Sequence, residues 1–261
     1  MCITLNNKAL TVITDEDNQI KQWLSPLEPG HKHRSLQANL VDGVGSWLLE
    51  TNRFREWSGS QGTPKRTVLF CYGHPGEGKT HIRSASKVIS NNRISLTAGN
   101  ISSLVIDSLC DRFRGRDIAV TGLYCDHLAQ EEQSTTNMLG AILNQLLARG
   151  GAPDPIRQVF REGERALGGW SVRHPDLMKL LKTTITSLPE VFICIDALDE
   201  CLPSSRRELL ESQREIVLAA LATQVFVTRR PHIRGEINRC FTEVITIAVI
   251  PTAGILADIW R

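Results

Sequence analysis

Short apolar runs alternate with amphipathic stretches along most of the chain. The apolar runs lie at 67–72, 118–125, 191–195, 225–228 and 244–249. Because these runs are almost continuously apolar, they predict strands that are covered on both faces, as in a parallel sheet. The segments between them, such as 135–148 and 204–221, have the apolar spacing of helices. This order predicts an α/β fold, a sandwich with right-handed crossovers between parallel strands.

The part of the chain before the first strand is more polar. We expect residues 1–62 to form an N-terminal helical and linker extension, and residues 63–261 to form the α/β domain. The sequence SPLEPGHKHR at 25–34 predicts a turn-rich stretch. Residues 43–57 predict a single helix. Its apolar face consists of Trp47, Leu48, Phe54 and Trp57.

Charge and composition narrow the class of protein. The chain has 261 residues, 41% of them apolar, and a formal net charge of +2; we therefore expect a sizeable core and no nucleic-acid partner. No run approaches the ~18 apolar residues of a membrane span, and the N-terminus lacks a secretory signal. We thus expect no membrane partner and a cytoplasmic location. Seven dispersed cysteines without a C-x-x-C pair predict reduced, buried thiols.

A glycine-rich loop follows the first predicted strand. The sequence GHPGEGKT at 73–80 fits G-x-x-x-x-G-K-[ST], the Walker A pattern, without a mismatch. Such a loop turns its backbone N–H groups around phosphate oxygens, while the lysine reaches the phosphates and the hydroxyl binds Mg²⁺. The predicted nucleotide-binding residues are Gly73, His74, Pro75, Gly76, Glu77, Gly78, Lys79 and Thr80. The alternative is a chance glycine-rich turn.

Acidic residues follow a second buried strand in VFICIDALDE at 191–200. Asp196 emerges at the carboxyl end of that strand, where ligands bind in open α/β sheets, and we predict that it holds Mg²⁺ together with Thr80. Asp199 or Glu200 can orient or deprotonate an attacking water. Alternatively, Asp199 and Glu200 are the acidic cap of a helix N-terminus.

A third element is VFVTRRP at 225–231, an apolar strand that ends in Thr228 and two arginines. An arginine at this place can stabilise charge on phosphoryl oxygens. The motif is weak by itself and gains weight from its position one strand after the acidic motif. Trp47 and Trp57 either pack their helix against the sheet or flank the nucleotide base.

In their order, these motifs resemble those of the NACHT class of signalling NTPases, and in particular its fungal branch with a nephrocystin-3-like N-terminal domain. The matching segments are GVGSWLLETNRFREW, GHPGEGKT, LYCDH, ICIDALDEC and VFVTRRP. The resemblance covers residue 20 onwards. It implies a P-loop NTPase of the STAND group, with a mostly parallel five-stranded sheet in which the arginine-bearing strand lies between the P-loop strand and the acidic strand. It also implies ATP or GTP with Mg²⁺, and a nucleotide-dependent switch that controls oligomerisation.

Carried over by motif, Lys79 and Thr80 contact phosphate and magnesium. Asp196 is the metal carboxylate (the Walker B position), Asp199 and Glu200 are the catalytic acidic pair, and Arg230 is the sensor arginine. Three departures stand out. Arg229 occupies the place of a serine in the usual T-S-R-P sensor. The chain stops where a helical lid and winged-helix region are expected to begin. Residues 83–100 resemble an insertion, such as a translated intron, for which we expect a helix at 81–90, a loop at 91–100 and a second helix at 101–114.

Three functions follow from these features. The first is a nucleotide-binding signalling switch with slow NTP hydrolysis, whose partners are nucleotide and either further copies of the chain or other protein domains. The second is a non-catalytic scaffold that retains nucleotide. The third is a truncated, inactive fragment of a larger NACHT protein. The sequence leaves enzymatic activity open and does not distinguish ATP from GTP.

Overall fold

The computed structural model describes residues 14–38, 45–59, 67–73, 98–148, 151–165 and 171–249. Within them lies one five-stranded sheet, in the order β2-β3-β4-β1-β5, in which every neighbouring pair is parallel. Its strands are β1 (Val68–Tyr72), β2 (Ile118–Tyr124), β3 (Glu190–Asp196), β4 (Thr223–Arg229) and β5 (Val244–Ala248). This confirms the predicted fold class, including the position of β4 between β1 and β3.

Helices cover both faces of the sheet. They are α1 (Asp15–Leu24), α2 (Pro29–Gln37), α3 (Ser46–Glu50), α4 (Asn52–Ser58), α5 (Ala98–Arg112), α6 (Thr135–Leu147), α7 (Asp154–Arg165), α8 (His174–Thr186), α9 (Pro203–Ala219) and α10 (Arg234–Cys240). The second helix expected after the P-loop, at 101–114, is observed as α5. It begins at Ala98, so the prediction of a loop through residue 100 is wrong at its end. The other expectations for this insertion fall on residues 81–97, outside the described residues.

Two apolar clusters make up the core, one on each face of the sheet. Alternation along β3 shows the division, because Phe192 and Cys194 belong to one cluster while Ile193 and Ile195 belong to the other. Helices α4 and α5 cover the first face, and α1, α6, α8 and α9 cover the second. The six cysteines of the described residues are free thiols, and five of them are buried, as predicted.

The direction of the crossovers reverses between β1 and β4. The chain passes from β1 to β2 through α5 on one face, and then advances through β3 and β4 with α6, α8 and α9 on the other face. Right-handed crossovers require this change of face when the direction along the sheet reverses. The carboxyl ends of β1 and β4 therefore flank the crevice where ligands bind in sheets of this kind.

The N-terminal helices pack against the α/β part of the chain. Gly140 of α6 allows the backbone of α1 to approach, because a Cβ at this glycine would lie 1.9 Å from the carbonyl oxygen of Leu24. Helix α2 packs on β2 and α5 through His33, whose ring nitrogens contact the Tyr124 hydroxyl (2.5 Å) and the Asp107 carboxylate (3.1 Å). The prediction of turns at 25–34 is wrong from Pro29 onwards, because proline at the first position of a helix is compatible with α2.

The prediction of a single helix at 43–57 is also wrong, because the segment is broken at Thr51. This residue is extended (φ −63°, ψ 142°), and its hydroxyl accepts a hydrogen bond from the Phe54 N–H at 3.1 Å, which caps α4. Trp57 lies in edge-on or tilted contact with Phe192 and Phe226, at 5.4 and 6.0 Å between ring centroids. It therefore packs α4 against the sheet. No helix in the described ranges has the length and apolar character needed to cross a bilayer.

Candidate functional site

The residues of the acidic and arginine motifs meet at one edge of the sheet. In parallel strands the carboxyl ends lie together, and here β3 ends at Asp196, β4 at Arg229 and β1 at Tyr72. Arg229 is in register with Tyr72, and Gly73, the first residue of the predicted phosphate loop, is buried directly after β1. The remaining predicted loop residues, 74–80, lie outside the described residues.

Asp196 is a buried carboxylate with two hydroxyl partners. Its Oδ1 atom accepts hydrogen bonds from Ser102 Oγ (2.5 Å) and Thr228 Oγ1 (2.6 Å), and the residue is only 5% exposed. Burial raises the pKa of Asp196 to about 6, and the negative charges of Glu200 and Asp199 add to this effect, while the two hydroxyl hydrogen bonds oppose it. Ionisation of Asp196 therefore costs more here than in water, and a cation beside the carboxylate would offset this cost.

Sequence reasoning missed Ser102 as a partner of Asp196. It lies on α5, 94 residues away along the chain, and the only signal is a pair of serines in the otherwise apolar segment ISSLVI. Thr228 was noted as the polar end of its strand, and its hydroxyl also accepts the backbone N–H of Ala197 at 3.0 Å. Thr228 thereby links the ends of β3 and β4.

A left-handed residue turns the chain after β3. Ala197 has φ 50° and ψ 43°, a conformation that costs a non-glycine residue about 1 kcal/mol. A 3₁₀ turn at Leu198–Glu200 follows, and Leu198 is buried in the core. This sharp turn directs Asp199 towards the end of β4 and Glu200 towards the end of β2. Neither acid lies in the first turn of α9, which begins at Pro203.

Asp199 is paired with Arg230. Its Oδ1 atom accepts the Arg230 backbone N–H at 3.0 Å, and its Oδ2 atom lies 3.2 Å from Arg230 Nε. The Asp199 side chain is 6% exposed, whereas the Arg230 side chain is 38% exposed. The arginine can therefore move into solvent or towards a ligand more easily than the carboxylate can.

Glu200 is held by the segment that follows β2. Its Oε2 atom accepts the His127 backbone N–H at 3.3 Å and lies 3.6 Å from His127 Nδ1. The ligand atoms of Asp126, His127 and Glu200 lie within 4.8 Å of one another. Lys32 Nζ lies 3.1 Å from the second carboxylate oxygen of Asp126 and competes there with any metal ion. The contacts with His127 therefore hold the Glu200 carboxylate in place.

Arg229 is the most unusual residue at this edge. It is 1% exposed, and its Nε, Nη1 and Nη2 atoms have no hydrogen-bond partner among the described residues. Its guanidinium carbon lies 4.0 Å from the centroid of the Phe70 ring, a cation–π contact. Burial lowers the pKa of Arg229 to about 9, which still leaves the side chain charged at neutral pH.

The residues described at this edge fit Mg²⁺. A carboxylate with neighbouring hydroxyls offers the oxygen ligands that Mg²⁺ prefers, and ionisation of a buried acid becomes less costly beside a cation. Asp196, Asp199 and Arg230 lie together at the ends of β3 and β4, beside the strand that leads into Gly73, whereas Glu200 lies towards the end of β2. The functional roles assigned to these residues remain predictions.

Together, the parallel sheet, its crevice and the phosphate-loop sequence define a NACHT-type P-loop NTPase-like domain, a nucleotide-binding fold. Residues 43–230 match the family model described as nephrocystin 3, N-terminal. The chain therefore belongs to the nephrocystin 3 N-terminal family. No curated protein matches the chain.

Three solved structures are similar to the chain at a low level. Drosophila ORC bound to DNA is 15% identical with a TM-score of 0.47, over 84% of this chain and 46% of that chain. Cdc6p from Pyrobaculum aerophilum is 14% identical (TM-score 0.43; 96% and 53% coverage). The Aeropyrum pernix ORC1 protein in complex with DNA is 14% identical (TM-score 0.43; 94% and 51%). The chain spans about half the length of these structures.

Two of these three structures were solved with DNA, and this finding overturns the prediction that nucleic acid is excluded as a partner. That prediction rested on the net charge of +2. It was wrong because net charge sums over the whole surface and does not describe how basic residues are distributed on it.

Proposed function

We propose that the chain is a nucleotide-binding signalling module of the STAND group. It binds ATP or GTP with Mg²⁺, hydrolyses nucleotide slowly, and uses the nucleotide state to switch its association with further copies or with other protein domains. The observation that carries this proposal is the buried Asp196, held between α5 and β4 at the crevice beside the strand that leads into the phosphate loop. The proposed location is cytoplasmic, and the proposed domain boundary lies between residues 62 and 63.

Within this proposal, residues Gly73–Thr80 bind the phosphates, and Thr80 and Asp196 hold Mg²⁺. The bound metal ion supplies positive charge beside the phosphate oxygens. Glu200 is the better candidate of the acidic pair for orienting a water, because both carboxylate oxygens of Asp199 are occupied by Arg230. Arg230 is the candidate that neutralises charge on the transferred phosphoryl group.

A nucleotide-retaining scaffold is the second candidate. The ion pair between Arg230 and Asp199 favours it, since a sensor arginine engaged by an acid is not free to bind phosphate. The two functions differ in turnover, because a residue that acts on the attacking water contributes to the transition state more than to binding.

Two substitutions test the phosphate-loop assignment and the difference in turnover. Lys79→Ala should weaken the binding of labelled ATP or GTP with Mg²⁺ by roughly tenfold or more, because it removes a charge-assisted contact worth roughly 1.5–3 kcal/mol. Lys182→Ala on α8 is the matched control and should bind like the wild type. Equal affinity of all three proteins would refute the phosphate-loop assignment.

Glu200→Gln should retain nucleotide but lose phosphate release, with Glu208→Gln on α9 as its control. Phosphate release by the wild type at the background level of Lys79→Ala, together with intact binding, would favour the scaffold over the NTPase.

A further inference from the structure

The buried guanidinium of Arg229 has charged side chains near it but no hydrogen-bond partner among the residues that the structure describes. Asp199 and Glu236 raise its pKa and Arg234 and Arg206 lower it, but desolvation by burial outweighs all of them. Glu236 is already bound by Arg206, through contacts of 2.9 and 3.0 Å. Asp199, in contrast, is bound by Arg230, whose side chain is more than a third exposed.

The environment of Arg229 in this structure is energetically unfavourable for a charged side chain. A buried charge without hydrogen bonds is strongly unfavourable, and the Phe70 ring compensates for only part of the lost hydration. Any hydrogen-bond acceptor that becomes free nearby would therefore stabilise the Arg229 guanidinium. Asp199 is such an acceptor if the Arg230 side chain leaves it, because its Oδ2 atom would then be a buried carboxylate oxygen without a cation.

We propose that Arg229 is the alternative partner of Asp199, and that it binds this carboxylate when Arg230 turns away to an anionic phosphate group. The phosphate step rests on the proposed function, which assigns Arg230 to the nucleotide. The exchange itself requires only that Arg230 releases Asp199. Arg229 is thus a positioning residue: it keeps Asp199 fixed in the nucleotide-bound state and destabilises the nucleotide-free state.

The exchange predicts that one substitution has opposite effects in two backgrounds. In the wild-type background, Arg229→Met removes an unpaired buried charge and keeps an apolar side chain of similar length against Phe70. It should therefore raise the urea midpoint of unfolding of the nucleotide-free protein. In an Arg230→Ala background, where Arg229 already pairs with Asp199, the same substitution should lower the midpoint.

Two control substitutions isolate this effect in the same urea series. Arg229→Lys keeps a charge that can pair with Asp199, so it should avoid the destabilisation of Arg229→Met in the Arg230→Ala background. Arg173→Met removes an exposed arginine just before α8, whose partner is Asp176 at 2.8 Å. Its effect should be the same in both backgrounds, because additivity holds for residues that do not share a partner.

An equal effect of Arg229→Met in the two backgrounds would overturn the proposal. Loss of folding by Arg229→Met in the wild-type background would overturn it too, because removal of an unpaired charge should stabilise the protein. Saturating Mg²⁺ with ATP or GTP should reverse the effect in the wild-type background as Arg230→Ala does. If only the Arg230→Ala reversal appears, the exchange stands and the assignment of Arg230 to phosphate fails.

Discussion

Replacing Asp196 by asparagine should stabilise the nucleotide-free protein at neutral pH. The folded pKa of this carboxyl is about 6, against 3.8 for the free group, because the side chain is buried. A difference of this size corresponds to about 3 kcal/mol against the ionised form in the folded state. Asparagine carries no charge, and its carbonyl oxygen can accept the hydroxyl hydrogen bonds of Ser102 and Thr228.

The sign of the pH dependence follows from the raised pKa. Between pH 3.8 and 6 the folded state binds more protons at this carboxyl than the unfolded state, so the wild type loses stability as pH rises through this window. The advantage of Asp196→Asn should therefore be about 3 kcal/mol at pH 7.5, about half of that at pH 5, and close to zero near pH 3.8.

Urea unfolding of both proteins over this pH range, with a chelator and without nucleotide, measures this difference. Asp199→Asn is the matched control. It removes a neighbouring carboxylate that is paired with Arg230, and should destabilise the protein at pH 7.5. A pH-independent loss of stability in Asp196→Asn would refute the reasoning. With saturating Mg²⁺ and nucleotide, the wild type should gain more stability than Asp196→Asn does, because the metal offsets the cost of the buried charge.

Two further predictions concern the packing of the N-terminal helices, and urea unfolding measures both. Asp17→Asn should reduce the free energy of unfolding by about 3 kcal/mol at pH 7, because Asp17 is 2% exposed and pairs with Arg157. Burial raises the pKa of Asp17, but hydrogen bonds from backbone N–H groups and nearby side chains lower it to about 2, so this stability should be lost as pH falls from 3.8 towards 2. An effect that persists at pH 2 would contradict this explanation. Gly140→Ala should destabilise by about 1–3 kcal/mol, because its Cβ would lie 1.9 Å from the Leu24 carbonyl oxygen. Gly163→Ala, whose Cβ would lie 3.9 Å from the Trp23 ring, is the control and should be neutral or stabilising, and equal losses in the two variants would contradict the steric argument.

Local pattern determined the strands and the general place of the site. Each predicted strand is observed within two residues at either end, because a strand covered on both faces must be apolar over a short, continuous run. The same pattern placed Asp196 at the carboxyl edge of a parallel sheet; Arg230 was assigned from the resemblance to the T-S-R-P sensor, and the roles of both residues stay predictions. The Walker A sequence was recognised in the same way, because it directly follows a run that predicts a buried strand.

The sequence was less informative where neighbouring structure competes with local pattern. The break at Thr51 was missed because apolar spacing at 43–57 is nearly the same for one helix and for two, and a single hydroxyl cap decides between them. Likewise, a whole-chain charge of +2 did not justify the exclusion of nucleic acid.

Only the tertiary structure decided which side chains meet within the site. Ser102 reaches Asp196 because α5 crosses the face towards which that carboxylate points, and no spacing rule connects residues so far apart in the chain. Arg229 and Arg230 are neighbours in sequence, yet one is buried against Phe70 and the other is partly exposed beside Asp199. Arg229 is the last residue of β4 and Arg230 follows the strand, so the neighbours that tertiary packing places around each side chain, and not its place in the sequence, determine whether an arginine contacts an acid, a ring or solvent.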